Sequence, residues 1–215
     1  MDPVVSLFSI LAALTLGAIS PGPSFLFVMR TSVALSRRDG IAAAAGMGFG
    51  AAFLSTLALV GVRAVIAQVE WLYIGFKLVG GAYLLFLAWR LWRAAAAEPA
   101  AVTNETEFRR PSNGLFRSFL LALATQLSNP KTVIVISGIF AALLPAHVPA
   151  WMYLAIPPVD FVIEGSWYTF VAVTMSSAAP RSIYMRARAW IDRAAGCVLG
   201  ALGLRLIWEG AQDAV

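Results

Sequence analysis

Six apolar stretches dominate the 215-residue chain, at residues 4–20 with a continuation at 24–36, then 41–66, 71–91, 115–144, 150–175 and 189–207. Each has about the 20 residues that a helix needs to cross a hydrocarbon core about 30 Å thick. A chain built this way folds in lipid. Composition agrees, since 60% of the residues are hydrophobic and only 13% charged, whereas soluble domains carry about 25% charged residues. The expected architecture is therefore an all-α integral membrane protein with six transmembrane helices.

The formal net charge of +5 invites a nucleic-acid reading, but the basic residues stand in short clusters at the ends of apolar runs. That is the pattern of membrane orientation, with no nucleic acid implied. Arg30, Arg37, Arg38, Arg90, Arg93, Arg109, Arg110, Arg117, Arg181, Arg186 and Arg188 lie in or beside the first, third and fifth connections, against Arg63 alone for the other connections and the tails. The positive-inside rule then puts those three connections in the cytoplasm and both termini outside. The first segment is expected to stay, because Asp2 replaces a basic leader and the apolar run leads into Pro21. The polar interval 94–114 reads as a cytoplasmic linker. It separates a first three-helix repeat (1–93) from a second (115–215).

Three crossings is an odd number, so a repeated half inserts upside down relative to its twin. A shift of 115 residues places Gly81, Leu84, Leu87, Arg90 and Leu91 on Gly196, Leu199, Leu202, Arg205 and Leu206. A second sign of the repeat is a matched pair of interruptions. "AISPGPSF" at residues 18–25 breaks the first run, and "QLSNPKTV" at residues 126–133 breaks the fourth, each with proline. As one straight helix, residues 4–36 would be about 50 Å long, far beyond the core thickness. A backbone break at membrane depth survives only where it is buried in protein or lines a polar cavity. Paired breaks in corresponding halves are the sequence mark of a transporter's substrate site.

The chain resembles the lysine-exporter type, or LysE/RhtB, translocators, which export amino acids from bacteria. The resemblance rests on "SPGPSFLFVMRTSVALSRRDGIAAAAGMGFG" after the first break, "KLVGGAYLLFLAWRLWR" in the third stretch, "SNPK" in the fourth and "GCVLGALGLRLI" in the sixth. Two departures bear on substrate more than on fold. Gln126 stands where many members have Asn, and "TVIVISGIFAALLP" replaces a phenylalanine-rich stretch.

Asp160 lies about ten residues into the fifth stretch, near the midplane, and Glu164 follows one turn later on the same face. An ionisable group at that depth is unfavourable by roughly 2.5–3.5 kcal/mol on insertion scales and marks a functional site unless it forms a structural ion pair. The resemblance also implies an acid at Asp160. The two carboxylates repel when both ionise, so one is expected to hold a proton at rest, which suits proton coupling. Pro157 and Pro158 can free backbone carbonyls beside Asp160, either to bind a substrate ammonium or merely to shape a kink.

Lys131 after the second break is the natural partner of these acids or of a substrate carboxylate, the alternative being a lysine that snorkels out. Ser128 and Asn129 supply polar groups there, or cap the helix that resumes at Pro130. At the first break, Ser20, Gly22, Pro23 and Ser24 are the candidate site residues, with helix capping the alternative role of Ser20 and Ser24. The amides after Pro23 sit at a half-helix N-terminus, which favours an anion. Trp167 and Tyr168 could line the pathway, but membrane aromatics more often pack or sit at interfaces, and Lys77 is close enough to its helix end to snorkel outward. The small-residue ladders Ala42–Gly46–Gly50 and Gly196–Gly200 favour close helix approach, within one chain rather than at a homodimer seam.

No H-E-x-x-H, G-x-S-x-G or cysteine pair points to an enzyme, and no cofactor is implied. A lone Cys197 excludes dithiol electron transfer. The expected function is export of an amino acid or related zwitterion across a bacterial inner membrane, driven by proton antiport. The alternative is a metal-cation exporter using Asp160 and Glu164, for which the other helices offer no further acids at depth.

Overall fold

The computed structural model describes residues 2–68, 70–96, 114–145, 148–174 and 178–213. Most of the expected linker, with Arg109 and Arg110, and the single histidine, His147, lie outside the described residues. The described chain forms eight helices. α1 (Pro3–Ile19) opens on Asp2, whose carboxylate accepts from Val4 N at 2.8 Å, satisfying one of the unpaired amides of a helix start. It stops at Ser20 because Pro21 has no N–H to give and disfavours helical backbone before it. Pro23 then occupies the first position of α2 (Pro23–Ala34), where its missing donor is harmless.

α3 (Arg37–Gln68) begins at Ser36, whose Oγ accepts from Asp39 N at 3.1 Å and donates to Asp39 Oδ2 at 2.6 Å. α4 (Glu70–Ala96) extends three residues into the expected linker. The fourth stretch repeats the plan of the first: α5 (Leu115–Leu127) ends at Ser128, and Asn129 caps α6 (Pro130–Leu143) by accepting from Lys131 N at 3.0 Å. α7 (Ala150–Thr174) keeps Pro157 and Pro158 inside it, and α8 (Ala178–Asp213) completes the described fold.

The two proline breaks bend their helix pairs by similar angles, 53° between α1 and α2 and 57° between α5 and α6. Within α3 and α8, Arg37–Gly61 and Arg186–Asp213 are each long and apolar enough to cross a membrane alone, and the bent pairs qualify as pairs. By length and composition this makes two spans, or four with the bent pairs, among the described residues. α7 is not among these spans because Asp160, Glu164, Pro157 and Pro158 lower its mean hydropathy.

α3 packs along α7, and α4 along α8. Both pairs run antiparallel. Gly40 lies against Ala172 and Gly48 against Phe161, while Lys77, Gly81 and Ala88 meet Asp213, Gly203 and Gly196 in reversed order. The small residues permit this approach: a Cβ on Gly81 would lie 2.8 Å from Gly203 O, and one on Gly46 would run into the Phe119 carbonyl of α5. Lys77 does not snorkel. It is 6% exposed and reaches Asp213 Oδ2 at 2.7 Å, because the antiparallel α8 brings its acidic end to the start of α4.

Buried apolar residues fall into two clusters. One joins Ile10 and Leu14 of α1 with Phe140 of α6, Leu84 of α4 and Leu206 of α8. The other joins Phe25 and Met29 of α2 with Met47 of α3 and Val171 of α7. Between the residues of α1 and α6 in one cluster and those of α2 in the other stand the two breaks.

Candidate functional site

The broken pairs meet at their breaks. Ser24 Oγ donates to Gln126 Oε1 at 2.6 Å, and Asn129 Nδ2 donates to Ser24 Oγ at 2.9 Å. Gln126 Nε2 in turn donates to Glu164 Oε2 at 3.2 Å. One chain of hydrogen bonds thus runs from the second break through the first to the acid of α7. All four side chains are buried, Gln126 completely. Their polar atoms find partners in one another, which is what burial at this depth demands.

Lys131 sits beside this chain. Its Nζ donates to Ser20 O at 2.9 Å and to Gly17 O at 3.5 Å. Both carbonyls belong to the broken end of α1, where no following turn supplies donors. Two more side chains close the same end: Tyr184 OH donates to Ile19 O at 3.1 Å, and Ser20 Oγ donates to Asp192 Oδ1 at 3.1 Å. Asp192 is 1% exposed and faces Arg188 Nε at 3.4 Å.

Asp160 takes a different place from Glu164. Its Oδ2 accepts from Ser55 Oγ of α3, and its Oδ1 is buried with no hydrogen-bond partner. A carboxyl oxygen left unpaired at 1% exposure is unfavourable when charged and far less so when protonated. The proline pair does not free carbonyls beside Asp160. The helical donors missing at Pro157 and Pro158 are those that would reach Tyr153 and Leu154, a turn nearer the helix start.

Two cavities flank the network. A cavity of about 20 Å³ is lined by Ser20, Gly22, Ser24, Asn129, Lys131 and Glu164, with Gly17 and Tyr168. That volume holds about one water. A larger cavity of about 570 Å³ lies between α2 and α5 and ends at Pro23, with Arg30 and Arg117 on its wall. Six of the nine expected site residues therefore line the small cavity. Pro23 lines the large one, and Pro130 and Asp160 line neither.

Comparison with known proteins gives one consistent result. The family description "LysE type translocator" matches residues 15–210. The chain belongs to the LysE-type translocator family. This translocator is 33% identical over 213 residues to an uncharacterized membrane protein, YahN, of Escherichia coli, covering 99% of the chain and 94% of that relative. It is 31% identical to a threonine efflux protein of Salmonella typhi (88% and 91% covered). It is 27% identical to a homoserine/homoserine lactone efflux protein of Salmonella typhimurium (86% and 82% covered). No solved structure matches it. The family is one of membrane transporters, so the translocator is not an enzyme.

Several residues of the candidate site were not among the nine expected site residues. Gln126 stood out only as a departure from the family pattern, yet it links Ser24 to Glu164. Ser55 is a polar residue inside the apolar α3, and its spacing alone gives no hint of Asp160. Tyr168 read as packing and lines the small cavity. Asp192 carries a usable signal, an acid four residues after Arg188 inside an apolar-rich helix, which a reading centred on the fifth stretch passes over.

Proposed function

We propose that the protein exports an amino acid from the cytoplasm of a bacterium across the inner membrane, in exchange for protons. The observation that carries this reading is the meeting of both proline breaks at one buried polar site that includes Lys131 and Glu164. A zwitterion needs opposite charges held a few ångströms apart. The substrate's ammonium enters the small cavity that Glu164 lines, with Asp160 one turn away on α7. Its carboxylate faces the amides of Ser24 and Phe25 at the start of α2, where the cap is Gly22 and no side chain competes for them. The names of the threonine and homoserine efflux relatives make a small hydroxylated amino acid the first substrate to try.

Six crossings in two inverted three-helix repeats fit this function. The antiparallel pairing of α3 with α7 and of α4 with α8 supports that reading, as do the matched bends. Rocking of one half against the other would open the small cavity to each side in turn. The cavity of about 570 Å³ between α2 and α5 is then the route from the cytoplasm, because Arg30 and Arg117 belong to the connections assigned to that side. Proton coupling rests on Asp160 and Glu164. Both are buried in α7, Glu164 accepting from Gln126 of α5 and Asp160 from Ser55 of α3. The metal-cation alternative lacks support, since no group of three or more His, Cys, Asp or Glu side chains that could hold a metal ion comes together among the described residues.

Profiling of culture medium tests the reading. Cells that express the protein should accumulate one or a few amino acids outside, threonine or homoserine first, relative to cells that lack it. An unchanged medium would count against amino-acid export.

A further inference from the structure

The last carbonyls of α1 are those of a helix cut off inside the protein. Their partial negative charge, summed along α1, attracts a cation. The cation present is Lys131, and it comes from an unfavourable place: it is the second residue of α6, whose own N-terminus repels positive charge. The side chain instead turns across to Gly17 O and Ser20 O. It also fills the space beside Gly22, where an added Cβ would lie 3.3 Å from Lys131 Cδ. The cavity left over, about 20 Å³, holds about one water and no amino acid.

We propose that the carbonyl oxygens of Gly17 and Ser20 form a subsite for a primary ammonium group, and that Lys131 occupies it as an internal stand-in which the substrate's own ammonium displaces. The proposal deepens the amino-acid export reading and rests on it for the identity of the displacing group. Two carbonyls at a helix C-terminus accept N–H donors and disfavour anions, so the subsite selects the ammonium end of a substrate. Displacement leaves no charge stranded, because Glu164 lines the same cavity as Lys131. It also enlarges the cavity, since the lysine stem is what fills it.

The test replaces the stand-in with a free one. Lys131→Ala keeps Cβ and removes the equivalent of n-propylammonium. In the purified variant, n-propylammonium chloride should raise the thermal unfolding midpoint by about 3 °C near saturation, while sodium chloride and sodium propionate at equal ionic strength should not. The wild-type protein, with its subsite filled, should not respond. In proteoliposomes, n-propylammonium at ten times its dissociation constant should raise the half-saturating concentration for labelled threonine exchange about ten-fold in Lys131→Ala and leave the wild type unchanged.

Absence of amine-specific stabilisation would overturn the subsite. Amine that restores exchange instead of competing would overturn displacement and make Lys131 a structural cap. Should Lys131→Ala fail to insert, Lys131→Gln keeps a donor on the carbonyls without the charge. Its half-saturating threonine concentration should fall below wild type, and a rise would contradict the stand-in role. If the wild type exchanges neither threonine, homoserine nor other amino acids, the export reading fails, while the stabilisation arm still decides the ammonium subsite.

Discussion

Ser24 and Gln126, 102 residues apart in the chain, share a hydrogen bond of 2.6 Å at the point where the two broken helix pairs meet. Neither residue is charged, and each would be expensive to bury alone. Together they join the break in α1–α2 to the break in α5–α6, and Gln126 passes the connection on to Glu164. Neutral groups therefore join the two breaks, while Glu164 and Lys131 line the small cavity beside them.

Gln126→Leu tests that arrangement. The substitution keeps much of the volume but takes the acceptor from the Ser24 O–H, whose oxygen keeps Asn129 Nδ2 as a donor, and removes the donor to Glu164. Losing partners for buried polar groups costs about 1–3 kcal/mol, so threonine exchange in proteoliposomes should fall about ten-fold or more with insertion preserved. Unchanged exchange would remove Gln126 from the site.

The breaks themselves are open to a second test. Pro23→Ala and Pro130→Ala restore the missing N–H groups and let α1–α2 and α5–α6 run on toward continuous helices, filling the polar gap between them. Transport should drop in either variant while membrane insertion persists. Full transport by the double variant would make both breaks ordinary kinks.

Helix positions were legible because apolar runs, caps and prolines are local signals. Pro21, Pro23 and Pro130 each stop or start a helix through the missing N–H, whatever surrounds them, and both breaks fall where the sequence puts them. Glu164, Lys131, Ser20, Ser24 and Asn129 were recognisable for a different reason: polar groups at membrane depth need an explanation. What stayed hidden is pairing. Lys131 looks like a partner for acids, but only the packed fold shows that it turns to the carbonyls of α1. Asp160 and Glu164 share a helix face in sequence, yet α3 presents Ser55 to one and α5 presents Gln126 to the other. Lys77 looked free to snorkel because the antiparallel approach of α8 depends on contacts that no local pattern encodes.

Close packing of α3 on α5 predicts a contrast between two glycines. A Cβ on Gly46 would run into the Phe119 backbone carbonyl, which cannot step aside, whereas one on Gly165 meets nothing within 4 Å. Gly46→Ala should lower the thermal midpoint in detergent by several degrees, corresponding to about 1–3 kcal/mol of overpacking. Gly165→Ala should hold it or raise it slightly through helix propensity. Equal behaviour of the two would contradict the α3–α5 contact.

Orientation follows from the arginines. With Cys197 replaced by serine, cysteines introduced at Asn104 and Gln212 should react with impermeant reagents from opposite faces, Asn104 from the cytoplasm and Gln212 from outside. Labelling of both from one face would rule out an odd number of crossings between them and with it the inverted repeat.

The central claim, amino-acid export coupled to protons through the acids of α7, meets its most direct test in proteoliposomes with an acidic lumen and labelled threonine outside at equal concentration on both sides. Antiport moves substrate toward the acidic side, so wild-type protein should accumulate threonine in the lumen, and collapse of the pH gradient should abolish the accumulation. Asp160→Asn and Glu164→Gln keep shape but cannot release a proton. At least one of them should lose uphill accumulation while keeping downhill exchange. Uphill accumulation retained by both variants together, with an unchanged response to pH, would contradict the account.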